Sequence, residues 1–139
     1  MPGHKEVRRH LRLAKGFIES AVIRDDSNEF EIRNALSRSY YGLFHACHSW
    51  LALRNVPFSK RSQHEMVIKE IGDRRGKEFG ERLNEFWSLR RQADYDRPEL
   101  LRGRYFPADV NRLRLSARGD CDRMAAEMTS YVLELDGLE

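Results

Sequence analysis

Apolar residues recur at spacings of three and four along most of the chain, and no segment alternates with period two for long enough to build a sheet. Val7, Leu11, Ala14, Ile18 and Ala21 predict a first amphipathic helix over about residues 4–24. The DDSN at 25–28 supplies a turn and a choice of N-caps. A second helix is expected from Glu29 to Arg54, broken by NVPFS through Pro57. On its wheel Ile32, Leu36, Tyr40, Leu43, Cys47, Trp50 and Leu51 gather on one side, as a core-facing stripe should.

A shorter helix follows over Gln63–Asp73, then a joint at Gly76. A fourth helix turns Phe79, Leu83, Phe86 and Ala93 inward and ends near Asp94 or Tyr95. The segment YDRPELLRGRYFPAD, 95–109, has two prolines and is the least regular. The last helix, Asp109 to Leu135, repeats Val110, Leu113, Ala117, Cys121, Met124, Met128 and Leu135 along a coiled-coil-like seam. Four long helices, one short helix and brief connections predict an all-α fold, an antiparallel up-down helical bundle.

Composition agrees with a single domain over 1–139. Hydrophobic residues are 40% and charged residues 34%, with only 4 Pro and 9 Gly, so the chain can bury a core without a metal or disulfide staple. Nothing reads as a signal peptide or an apolar span long enough for a bilayer, so no membrane association and a cytoplasmic location are expected. Cys47 and Cys121 sit in apolar stripes without a CxxC or His-rich setting, which predicts buried reduced thiols, no metal site and no cofactor. The net charge is only +3, yet arginines pair at 8–9, 74–75 and 90–91, and guanidinium forks suit phosphate. Most of these charges are also what solvated helix faces carry.

The second helix holds the unusual chemistry. Opposite its apolar stripe stand Arg38, Tyr41, His45 and His48, where Lys and Glu would be ordinary. Arg38 and His45 are about two turns apart and lie one above the other. Arg91, Asp94 and Tyr95 share a face of the fourth helix, which predicts an Arg91–Asp94 ion pair or a phosphate-facing group. His64, in KRSQHEM at the start of the short helix, is expected either at the surface or at an anion-attracting helix end. No Gly-rich phosphate loop, GxSxG elbow or HExxH is present, and no recognition helix stands out for DNA.

Two stretches carry a resemblance. NALSRSYYGLFHACHSWL at 34–51 and LRRQADYD at 89–96, with His64 between them, resemble the HEPN domain (higher eukaryotes and prokaryotes nucleotide-binding), through SR-x-YY-x-x-FHA and R-x-ADYD. The likeness extends over nearly the whole chain, so it implies one HEPN domain across 1–139. It also implies a helical bundle, a homodimer and a minimal nucleotidyltransferase partner of the antitoxin type. Many members are metal-independent endoribonucleases and act as toxins of toxin–antitoxin pairs. Their signature is an Arg separated by four to six residues from a His, which Arg38 and His45 satisfy with six between them.

In the best-described ribonuclease members the pair lies on a later helix, with a Tyr soon after the His. The corresponding RRQADYD has no His: Arg91 and Tyr95 match the Arg and Tyr, while Asp94 stands in the area of the proton-shuttling His. Two readings follow. Either Arg38 and His45 are the catalytic pair, with Tyr41, His48, His64, Arg91, Asp94 and Tyr95 around nucleotide or RNA, or the chain is a noncatalytic subunit that binds nucleotide or RNA.

Metal-free RNA cleavage needs a base for the 2′-hydroxyl, an acid for the departing 5′-oxygen and a cation on the phosphorane. One Arg and one His supply half of that set. If the second helices of two subunits packed antiparallel on a two-fold axis, both copies of Arg38 and His45 would meet in one composite site. Without RNA chemistry, the same face is a polar subunit seam or a satisfied hydrogen-bond cluster.

Overall fold

Asn28 starts the helix around which the molecule is organised. Its Oδ1 accepts hydrogen bonds from the backbone N–H groups of Phe30 at 3.0 Å and Glu31 at 3.2 Å, satisfying two donors that no helical carbonyl reaches. The computed structural model describes residues 3–57, 63–95 and 107–136. They form α1 (Gly3–Ser20), α2 (Glu29–Leu53), α3 (Gln63–Arg74), α4 (Lys77–Tyr95) and α5 (Pro107–Asp136), with no strand among the described residues. The irregular stretch expected at 95–109 lies largely outside the described residues, which resume at Pro107, a residue suited to a helix's first position.

Helix ends follow local hydrogen bonding. α1 stops at Ser20 instead of continuing to residue 24. There the Asp25 carboxylate takes the backbone N–H of Ser27 at 3.0 Å and its hydroxyl at 2.6 Å, and Glu31 takes the N–H of Arg24 at 3.0 Å. These side chains offer the backbone partners that a helix would otherwise supply. α2 ends before Pro57 is reached. Asn55 adopts φ +57°, its N–H bonds to the Ala52 carbonyl at 2.9 Å, and the Val56 N–H bonds to Leu51 at 3.2 Å. That left-handed cap closes the last turn, and Pro57 prevents it from reopening.

The predicted stripe of α2 is the core. Ile32, Leu36, Tyr40, Leu43, Cys47, Trp50 and Leu51 are all buried. α2 packs on each of the other four helices, most extensively on α5 and α1. Its partners reveal direction. His10 meets His48 and Phe17 meets Tyr41, so α1 runs antiparallel to α2. Arg33 meets Ala93 and Tyr41 meets Arg90, so α4 does too. Gln92 meets Arg114 and Arg82 meets Asp120, which sets α5 antiparallel to α4. The four long helices therefore alternate in direction along the chain, an all-α up-down bundle, and α3 is the short fifth helix.

One stretch of the last seam is corrected. Leu113 is 38% exposed, and Arg114, only 1% exposed, takes the inward position of that turn. The buried row then runs Val110, Arg114, Ala117, Cys121, Met124, Met128 and Val132. Arg114 can lie inside because Gln92 Oε1 accepts from it at 2.7 Å and Asn111 Oδ1 at 3.1 Å, with the Glu29 carboxylate at 3.4 Å. The side chain of Leu135 lies outside the described residues. Both cysteines are buried free thiols whose pKa values burial pushes up.

Close backbone approach places the helices that bear the site. A Cβ on Gly42 would stand 2.5 Å from the Ile18 side chain, so α1 lies tight against α2 there. A Cβ on Gly80 would stand 2.7 Å from the Gly72 backbone, locking α3 to α4. The tight turn between those two helices runs through Gly76 at φ +140°.

Candidate functional site

The side of α2 read as an outer face is mostly covered by α1. Tyr41 and His45 are half-buried and His48 is buried; Arg38 alone of the four is exposed. Of the readings open for this face, the hydrogen-bond cluster fits His45 and His48, which are covered from within the protomer. The physical basis of that cover is Gly42, whose missing side chain lets α1 settle onto that side of α2. His45, half-buried, packs against α1 of its own protomer.

His45 meets another histidine that the sequence reading did not pick. Its Nδ1 is 2.9 Å from Nδ1 of His10, so one ring donates and the other accepts a single proton. His48 stacks on His10 at 3.7 Å between centroids, and Phe17 lies parallel to His45 at 5.5 Å. Glu6 Oε2 approaches His10 Nε2 at 3.6 Å. Burial pushes the pKa of all three rings down to about 4, helped by the neighbouring rings and by Arg9, so each is neutral at pH 7. Arg38 and His45 share the face at about two turns' separation, with no hydrogen bond between them. Arg38 makes no ion pair among the described residues.

A second group lies where α2, α3 and α4 meet. Tyr41 Oη accepts from Arg90 Nη2, and Arg90 Nε is 2.9 Å from Asp94 Oδ2. Ser37 donates to the same Asp94 oxygen at 3.1 Å. Arg90 also lies over the Tyr41 ring at 4.7 Å and the Tyr95 ring at 5.7 Å. Burial raises the Tyr41 pKa, partly offset by Arg90.

Asp94 therefore pairs with Arg90, not with Arg91. The i,i+4 step aligns Arg90 with Asp94 on the side that faces α2, whereas Arg91 turns one residue further and lies over Trp87 at 4.9 Å. Tyr95 is 64% exposed at the rim.

His64 is half-buried. Its Nδ1 is 2.9 Å from Tyr40 Oη, and its ring is held between Phe44 at 4.3 Å and Trp87 at 5.6 Å. Burial, with the Arg90 charge second, pushes its pKa down to about 4. The aromatic side chains of α2 and α4 cover what an isolated amphipathic reading of α3 leaves outside.

Phe44 joins the two groups, with its ring edge at 5.2 Å from His45 and its face on His64. The site is thus a seam of four neutral histidines and stacked aromatics, with Arg38 and Arg90 at one end. His10 had a signal in the sequence, because it interrupts the stripe of Val7, Leu11 and Ala14 at a core spacing. Arg90 had one as well, in the arginine pair at 90–91 and its i,i+4 spacing to Asp94, whereas Ser37 and Phe17 had none beyond their residue types. No group of three or more His, Cys, Asp or Glu among the described residues could hold a metal ion, and no described helix is long and apolar enough to cross a membrane.

No family model, curated protein or solved structure matches the chain.

Proposed function

We propose that this chain is a HEPN-type protein that acts on RNA, as a metal-independent endoribonuclease of a toxin–antitoxin pair with a minimal nucleotidyltransferase. The observation that carries this reading is the His10–His45 contact at 2.9 Å, two neutral imidazoles with one proton between them. In the reaction His45 takes the proton of the 2′-hydroxyl as that oxygen attacks the phosphorus. The bond from phosphorus to the 5′-oxygen breaks, and the histidine pair returns a proton to the departing oxygen. Arg38, exposed on the same face, neutralises the phosphorane charge. The second histidine comes from α1 of the same protomer, so the proton chemistry does not depend on a homodimer. The homodimer and the nucleotidyltransferase remain part of the proposal as assembly partners.

A second reading is a noncatalytic subunit that binds nucleotide or RNA and partners the nucleotidyltransferase. The Arg90 arrangement favours it. A guanidinium tied to Asp94 and Tyr41, with the exposed Tyr95 ring beside it, supplies positive charge and a stacking surface.

Incubation of the purified protein with total RNA in EDTA tests both, beside His45→Ala and Arg38→Ala variants matched for helicity. The first reading predicts cleavage by the wild type and its loss in both variants. Cleavage that persists in the folded variants rejects the residue assignment. Calorimetric binding of RNA or nucleotide without cleavage selects the second reading, and neither binding nor cleavage rejects both.

A further inference from the structure

Lys5, Arg8, Arg9 and Arg12 stand on α1 at i, i+3, i+4 and i+7, the spacing that gathers side chains on one face. All four are exposed, and among the described residues they wall an open concavity of about 490 Å³. Elsewhere many surface cations are paired within their own helix. Lys15 meets Glu19, Lys69 meets Asp73, Arg74 meets Glu70 and Lys77 meets Glu81, all one turn apart. On this face Arg9 alone has a carboxylate, Glu6 at 3.9 Å, and Lys5, Arg8 and Arg12 make no ion pair among the described residues.

We infer that this face of α1 is a docking ridge for the phosphate backbone of single-stranded RNA. The inference rests on the function proposed above and adds the place where substrate is held. Three of the four cations are arginines, whose forks match phosphate oxygens. They extend over two turns, about 10 Å, which suits a run of backbone charges better than one isolated anion. Among the described residues the walls of the concavity are basic side chains, with no carboxylate and no aromatic. Arg9 is the ridge cation whose charge reaches the histidines, helping to hold the pKa values of His10, His45 and His48 down.

Fluorescence anisotropy with a short labelled oligouridylate carrying 2′-O-methyl sugars, which cannot be cleaved, tests the ridge. The wild type is compared with Arg8→Ala/Arg12→Ala and with Lys69→Ala/Lys77→Ala as a surface control, all matched for helicity. The ridge variant is expected to bind at least ~10-fold more weakly, and its log K against log salt slope to fall by about 1.4, since each single-strand phosphate contact contributes about 0.7. The control should stay within about twofold of the wild type.

Equal affinity and slope in the ridge variant and the wild type overturn the ridge while leaving the RNA reading intact. So does displacement of the RNA by polyglutamate at matched charge, which would mark a face for acidic protein. Wild type that cleaves total RNA but ignores the oligonucleotide also overturns the ridge alone. Wild type that neither binds nor cleaves overturns both the ridge and the function.

Discussion

His10 on α1 and His45 on α2 face each other through their Nδ1 atoms at 2.9 Å, although 35 residues separate them in the chain. Two protonated imidazoles cannot occupy that geometry, because each would point a proton at the other. The contact therefore ties the packing of α1 on α2 to the protonation of the pair.

Acid should loosen the bundle within a definite window. His10, His45, His48 and His64 have folded-state pKa values of about 4, against 6.5 for free histidine. Between those values the unfolded chain binds more protons than the folded one, so stability rises with pH there. The contribution is complete above pH 6.5, is lost as pH falls toward 4, and changes no further below that. Allowing for water that still reaches the rings, each contributes on the order of 1 kcal/mol. Urea unfolding followed by circular dichroism from pH 7.5 to 4 should show the midpoint falling through this window. A level midpoint would contradict the neutral seam.

The two rings should also be energetically coupled. His10→Ala and His45→Ala, combined in a double-mutant cycle of urea unfolding at pH 7.5, are expected to show an interaction energy of about 1 kcal/mol. Additive single effects would mean that the hydrogen bond contributes nothing to stability.

Glycine position should outweigh helix propensity. Gly16 and Gly80 both lie inside helices, where alanine is better by about 1 kcal/mol. A Cβ at Gly16 meets nothing within 4 Å, so Gly16→Ala should stabilise by about that amount. A Cβ at Gly80 would lie 2.7 Å from Gly72 Cα and 3.2 Å from the Ile68 carbonyl, both backbone atoms that cannot rotate away. Gly80→Ala should therefore destabilise by about 2 kcal/mol. Thermal melts of the two variants should move in opposite directions.

Removing the buried guanidinium should be costly. Arg114→Ala opens a cavity and takes the donor from Gln92 Oε1, itself on a residue only 4% exposed. A loss of about 3 kcal/mol is expected in chemical denaturation. A loss well under about 1 kcal/mol would show that water or a neighbouring side chain takes over those contacts.

The helices were legible because their signals are local. The stripe from Ile32 to Leu51 repeats on every turn and proved buried throughout, and helix starts such as Asn28 are written in one or two residues. Leu113 and Arg114 show where this fails. Adjacent residues differ by about 100° on the wheel, and hydrophobicity alone favours the leucine. The arginine goes inside because Gln92, Asn111 and Glu29 are waiting for it on two other helices and one turn back on its own.

The titratable residues picked from the sequence lie close together, but their partners differ from those expected. Tyr41, His45, His48, His64 and Asp94 all lie in the seam, yet the contacts they make were not the expected ones. Asp94 takes Arg90, His64 takes Tyr40, and His45 takes His10. Each choice depends on a helix rotation of one residue or on a helix remote in sequence.

By itself, then, the order of residues determined five helices and most of the stripe that α2 buries, because periodicity acts within a turn or two of the chain. The tertiary structure decided which side of α2 is covered, since only the close approach at Gly42 brings α1 onto it. It also decided that four histidines gather into one neutral seam, because desolvation and ring stacking arise when α1, α2 and α3 enclose them together.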